Sequence, residues 1–113
     1  MTDLSSMKTV TVEEVFEKLS SADPPVILDV REPHELAGEL GHIKGAINIP
    51  IDRMGMRTRE LRSSMDKEIV CVCRSDARAG DVARMLTQFG FSQIKVMTGG
   101  MIEWNNAKYP VER

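Results

Sequence analysis

Two stretches of this chain are apolar on both faces of an extended backbone: Val26-Ile27-Leu28-Asp29-Val30, interrupted only by Asp29, and Ile69-Val70-Cys71-Val72-Cys73. A strand with one wet face alternates apolar and polar residues, whereas a continuous run needs cover on both faces. A parallel sheet between helices meets that need, and the intervening segments read as the helices. Thr11-Val12-Glu13-Glu14 has the form of a capping box, and Val12, Val15, Phe16 and Leu19 recur at helical spacing. A helix is therefore predicted over residues 12–20, stopped by Pro24-Pro25. Glu32-Pro33-His34-Glu35-Leu36 reads as a short helix start with proline in its first turn. Residues 46–49 form a short strand ended by Pro50, and residues 52–64 a helix weakened by Gly55. The second apolar run extends to a strand over 68–73. Val82, Ala83, Leu86 and Phe89 share one helical face, closed by Gly90. Residues 94–97 read as a strand, Gly99-Gly100 as a turn, and 101–106 as a last helix. The pattern predicts the α/β class, with a mostly parallel sheet and helices on both faces.

The chain has 113 residues, one domain's worth, and no repeat or linker divides it. The expected domain spans residues 1–113, with its core at about 8–111. No apolar run approaches the ~18 residues of a spanning helix, so no membrane partner is expected. The N-terminal stretch Met1-Thr2-Asp3-Leu4-Ser5-Ser6-Met7-Lys8 lacks a basic segment and an apolar core, which predicts a cytoplasmic location. Fifteen Lys+Arg against seventeen Asp+Glu give a net charge of −2, a poor balance for binding nucleic acid. The two cysteines stand two apart on one strand, about 6.5 Å between Cα atoms and near the outer limit for a disulfide. At least one free thiol is expected, in a reducing compartment. His34, His42, Cys71 and Cys73 match no zinc spacing, so no metal is expected.

In sheets of this kind ligands sit at the carboxyl ends of strands. Cys73 lies at such an end, and Arg74-Ser75-Asp76-Ala77-Arg78-Ala79 leads from it into a helix. Successive backbone N–H groups in a tight loop form an anion-binding nest, and the helix adds its positive end. Two arginines add charge. These effects predict a thiol pulled down from ~8.5 toward neutrality or below. The same field attracts an anionic substrate, so the reading is a cysteine nucleophile acting on an anion. Cys71, inside the strand, reads as a buried structural thiol.

The sequence resembles the rhodanese-like domains, most nearly the single-domain thiosulfate sulfurtransferases. Four segments carry the resemblance in order: Leu28-Asp29-Val30-Arg31-Glu32; Gly41-His42-Ile43-Lys44-Gly45-Ala46-Ile47-Asn48-Ile49-Pro50; Cys73-Arg74-Ser75-Asp76-Ala77-Arg78-Ala79; and Gly99-Gly100 with Trp104 and Tyr109-Pro110-Val111. The resemblance implies a five-stranded parallel sheet and a ping-pong sulfur transfer. Cys73 would attack the outer sulfur of thiosulfate or of a persulfide or polysulfide donor. It would then pass the sulfur from its own persulfide to cyanide, a thiol or a sulfur-carrier protein. Arg74 and Arg78 would hold the anionic donor, and the backbone of Arg74, Ser75, Asp76, Ala77, Arg78 and Ala79 would surround the terminal sulfur. No metal or organic cofactor is implied. The six-residue loop resembles the sulfur-transferring members, whereas the related phosphatases and arsenate reductases have one residue more. The alternative in another class is a catalytically weak binding or sulfur-carrier module on the same fold.

Asp76 stands where the family usually has glycine. Asp tolerates left-handed backbone angles better than most residues. Its carboxylate opposes a thiolate and an anionic donor unless it pairs with Arg74 or Arg78 or points to solvent. On that electrostatic ground Asp76→Asn and Asp76→Gly are expected to turn over thiosulfate faster. Asp29 and Arg31 read first as members of an internal ion pair, with Glu32, Glu35 or each other, and otherwise as a buttress of the loop; His42 reads as a hydrogen-bonded loop residue. Arg53, Arg57 and Arg59 read as a solvated face that could rim the pocket. Met54, Met56, Met97 and Met101 read as core filler and Trp104 as a core anchor.

Overall fold

The computed structural model describes residues 7–113; the first six residues of the stretch read for a secretion signal lie outside them. Five strands alternate with helices in chain order: β1 (Thr9–Val10), α1 (Val12–Lys18), β2 (Val26–Asp29), α2 (Pro33–Leu36), β3 (Ile47–Asn48), α3 (Met54–Arg57), β4 (Glu68–Val72), α4 (Ala77–Gln88), β5 (Gln93–Met97) and α5 (Gly100–Asn106). The sheet order is β1-β5-β4-β2-β3, and each adjacent pair is parallel. Leu28 lies opposite Cys71, and Asp29 opposite Val72. From β2 the chain crosses outward to β3 and then back to β4 on the other side. The crevice between β2 and β4 is therefore the switch point at which α/β sheets bind ligands.

The two apolar runs are covered on both faces. Leu28, Ile69 and Cys71 pack with Met54, Leu61, Val82 and Leu86 on one side. Ile27, Val70 and Val72 pack with Val12, Val15, Met101 and Trp104 on the other. Trp104 donates its indole N–H to the Pro110 carbonyl (2.9 Å), which anchors the C-terminal turn to α5. Met54, Met97 and Met101 are buried, whereas Met56 is exposed.

Helix α1 has both arms of its capping box: the Glu14 amide donates to Thr11 Oγ1 (3.1 Å) and the Thr11 amide to Glu14 Oε1 (2.8 Å). At the start of α2 the Glu32 amide donates to Glu35 Oε2 (2.8 Å), one arm of such a box. Three expectations need correction. The two-residue strand β1 was not foreseen. Residues 52–64 do not form one helix: α3 lies between 3₁₀ turns at Ile51–Arg53 and Thr58–Ser64. The Thr58 hydroxyl donates to the Met54 carbonyl, a local bond that competes with the helical ladder. Phe89 is exposed rather than on the buried face of α4, because that helix ends at Gln88 and Phe89 is its cap.

Candidate active site

Strand β4 ends one residue before Cys73, and three residues separate Cys73 from α4. The thiol is buried, with its side chain among the apolar residues between β4 and α4. Its sulfur accepts the Ala79 amide at 3.4 Å. The loop keeps its amides on this side because its carbonyls are held on the other. The Met101 amide donates to the Cys73 carbonyl (2.9 Å) and the Ile102 amide to the Arg74 carbonyl (3.1 Å). Across a trans peptide the carbonyl and the following N–H point in opposite directions. Tying down the Arg74 carbonyl thus turns the Ser75 N–H toward the thiol.

Gly100 makes this approach feasible. Its φ is +58°, and a Cβ there would lie within 2.6 Å of the carbonyl oxygens of Cys73, Ser75 and Arg74. The start of α5 therefore forms the outer wall of the loop. Sequence reasoning saw Gly99-Gly100 only as a turn; the clash that excludes a side chain is a property of two segments packed together.

Burial pushes the Cys73 thiol up from its ordinary value. The amides of Ala79, Ser75 and Arg78 and the Arg78 guanidinium pull against it without offsetting it. The expected fall toward neutrality is thus reversed in direction. Cys71, fully buried, is pushed up to about 12 by burial and by its proximity to Cys73. Both cysteines are free thiols.

Arg78 is already engaged by a carboxylate. Its guanidinium makes a bidentate pair with Glu35 from α2, at 2.7 and 3.0 Å. Glu35 also accepts the Glu32 amide (2.8 Å). The Arg78 hydrogen bonds, against the cost of burial, pull the Glu35 carboxyl down to about 2. Glu35, 43 residues away in sequence, was missed because no local pattern pairs two such charges. Since its folded value lies below the ordinary 4.5, the pair stabilises the fold above about pH 4.5 and loses that contribution as pH falls toward 2. Glu35→Gln is expected to cost about 1–3 kcal/mol at pH 7 and to flatten the loss of stability between pH 4.5 and 2. Urea unfolding at stepped pH measures both.

Asp76 is half-buried and pairs with neither Arg74 nor Arg78. Its carboxylate accepts the Gly99 amide at 2.9 Å, joining the loop to the turn before α5. Its φ is −134°, so no left-handed angle is required. The faster turnover expected of Asp76→Asn and Asp76→Gly therefore comes with the weakening or loss of a structural bond. Asp76→Ala is now expected to cost about 1 kcal/mol. Asp76→Asn, which keeps an acceptor oxygen, should cost less; thermal unfolding of the two variants tests this.

Asp29 and Arg31 form a buried ion pair with two side-chain bonds, Nε to Oδ1 at 2.9 Å and Nη2 to Oδ2 at 2.7 Å. Arg31 also donates to the Gly41 carbonyl (2.8 Å), so the pair ties the end of β2 to the 38–45 loop. His42 bonds the Leu36 carbonyl through Nδ1 (3.0 Å), and its backbone bridges to Glu112. Arg57 pairs with Glu60 on the exposed face, and Arg53 and Arg57 line a separate cleft with Glu32 and Pro33. Arg74, Ser75 and Ala77 are exposed, and Ala79 is buried beneath the thiol. Among the described residues no group of three or more His, Cys, Asp and Glu is placed to hold a metal ion. No helix among them is long and apolar enough to cross a membrane.

The chain is 38% identical over 98 residues to YqhL, an uncharacterized Bacillus subtilis protein, covering 87% of this chain and 72% of that one. It is 28% identical to a sulfurtransferase of Allochromatium vinosum, over 88% of this chain and 89% of the relative. It spans only 58% and 52% of two longer relatives, from Synechocystis and Bacillus subtilis. A Staphylococcus saprophyticus crystal structure superposes with a TM-score of 0.76 at 31% identity, covering 87% of this chain and 93% of that one. The family model of the rhodanese-like domain matches residues 11–107, and the chain belongs to that family.

Proposed function

We propose that the protein is a sulfurtransferase in which Cys73 accepts sulfane sulfur as a persulfide and hands it to a thiophilic acceptor, cyanide or a thiol. The observation that carries the reading is the cradle. Its thiol sits at the switch point with the amides of Ala79, Ser75 and Arg78 turned toward it. A persulfide extends the side chain by one sulfur, and inward amides stabilise negative charge on such a terminus. Some relatives are named as sulfurtransferases, which agrees with this reading. The raised thiol is compatible with it. Less thiolate forms at neutral pH, but each thiolate of a higher-pKa thiol attacks sulfur faster. Thiosulfate or a persulfide is the donor, a small thiol or a sulfur-carrier protein an acceptor, and the cytoplasm a fitting compartment for two free thiols.

Incubation of the reduced protein with a donor and cyanide tests this by thiocyanate release. Catalytic release by the parent, absent from the Cys73→Ser variant, supports transfer. A parent no faster than the variant favours a binding module on the same fold.

A further inference from the structure

Beside the loop, Arg31, His34, Glu35, Gly38, Glu39, Leu40 and Arg74 line a cleft of about 300 Å³. That volume lies at the small end of ligand sites. Its walls carry both signs of charge, and several of the charges are already engaged. Arg31 is held by Asp29 and by the Gly41 carbonyl. Glu35 is held by Arg78 and the Glu32 amide. The side chains of Arg74, His34 and Glu39 are exposed and, among the described residues, make no hydrogen bond or ion pair. Arg74 is also the residue directly after the nucleophile of the proposed reaction.

This balance suits an inorganic dianion poorly. The Arg78 charge is neutralised by Glu35, whose carboxyl, held down to about 2, stays ionised at any working pH. A dianion entering the cleft would meet one open guanidinium and two carboxylates, Glu35 and Glu39. A head group that is itself an anion and a cation meets the reverse situation: a guanidinium for its carboxylate and a carboxylate for its ammonium.

Resting on the sulfur-transfer reading above, we infer that the preferred donor is a small amino-acid persulfide, with its carboxylate on Arg74 and its ammonium on Glu39 in this cleft. The transfer balances without another reactant. Cys73 thiolate attacks the terminal sulfur of R–S–SH, the new Cys73 S–S bond forms as the R–S–SH bond breaks, and R–S⁻ leaves. R–S⁻ then takes up the proton that the Cys73 thiol released, so no net oxidation or reduction occurs. Thiosulfate would be the poorer donor.

The test measures the rate at which one sulfur is added to Cys73 of the full chain, by mass spectrometry. The donors are cysteine persulfide, cysteamine persulfide (no carboxylate), 3-mercaptopropionate persulfide (no ammonium) and thiosulfate. Cysteine persulfide should load about tenfold faster than any of the others, the size of one charge-assisted contact. Arg74→Ala should shrink its advantage over cysteamine persulfide to about twofold or less, and Glu39→Gln its advantage over 3-mercaptopropionate persulfide. Glu35→Gln, which frees Arg78, should raise the thiosulfate rate relative to the parent. Arg74 and Glu39 are exposed, so unchanged melting curves are expected for their variants. Loading that ignores the head group, or an advantage that survives both substitutions, overturns this inference while leaving sulfur transfer in place. Thiosulfate as the fastest donor does the same. No loading from any donor overturns the sulfur-transfer reading and this inference with it.

Discussion

Replacing Cys73 by serine is expected to abolish sulfur transfer, lowering the rate by about a thousandfold or more. Serine keeps the volume and loses the atom that bonds to sulfur. Cys71→Ala should keep transfer within about threefold of the parent and cost about 1 kcal/mol of stability through the cavity it leaves. The contrast follows from burial and from the loop. Cys71 is fully buried and its thiol is pushed up to about 12, so almost no thiolate exists there at neutral pH. Cys73 is raised too, but faces three amides and a guanidinium that stabilise the anion once formed. The direction of that shift predicts a pH profile. Alkylation of Cys73 should rise about tenfold per pH unit from pH 6 to 8, without the plateau of a low-pKa thiol. Cys71 should stay unlabelled in the folded protein. Equal labelling of both thiols, or a plateau near pH 7, contradicts the geometry given for the loop.

Gly100→Ala should be the most damaging small substitution outside the nucleophile. The new methyl group would lie within 2.6 Å of three loop carbonyls, at a φ of +58° that alanine resists. Relief requires the start of α5 to move away from the loop, breaking the bonds from Met101 and Ile102 to the Cys73 and Arg74 carbonyls. The expected loss is about 2–4 kcal/mol, a drop in Tm of about 10 °C or more, together with at least a tenfold loss of Cys73 persulfide formation. Gly55→Ala is the control. Gly55 lies in α3 with nothing within 4 Å of its added Cβ. That change should be neutral or stabilise by about 0.5–1 kcal/mol, with transfer unaffected. Thermal melts and persulfide formation on both variants separate a loop-specific clash from a general effect of adding a methyl group.

The parts of the fold legible in sequence were those written by short-range patterns. The two apolar runs announced central strands because no other arrangement covers both faces of 26–30 and 69–73. The Thr11 capping box and the helical spacing of Val12 and Val15 placed α1 to within two residues of its end. Strand β1 escaped notice because two residues, Thr9 and Val10, are too few to show a period; it exists through pairing with β5. The 52–64 segment misled because its apolar residues keep a helical spacing while Gly55 and Thr58 weaken the helix.

The candidate site divides in the same way. The position of Cys73 was readable from strand, loop and helix. Its electrostatics were not, because they depend on groups distant in sequence. Glu35 reaches Arg78 across 43 residues and takes up the guanidinium face that an open Arg78 would have offered an anion. Gly99 reaches Asp76 across 23 residues and turns an apparent liability into a tie. Burial then decides the direction of the thiol's shift, and the degree of burial is a property of the packed core.

The central claim is that Cys73 carries sulfur, and peptide-level mass spectrometry after exposure to a persulfide donor tests it most directly. The account predicts one added sulfur, about 32 mass units, on the peptide containing Cys73, fragmenting to Cys73 rather than to Cys71, and removed by cyanide. Sulfur found on Cys71, or a protein that leaves the donor unchanged and its own mass unaltered, would contradict it.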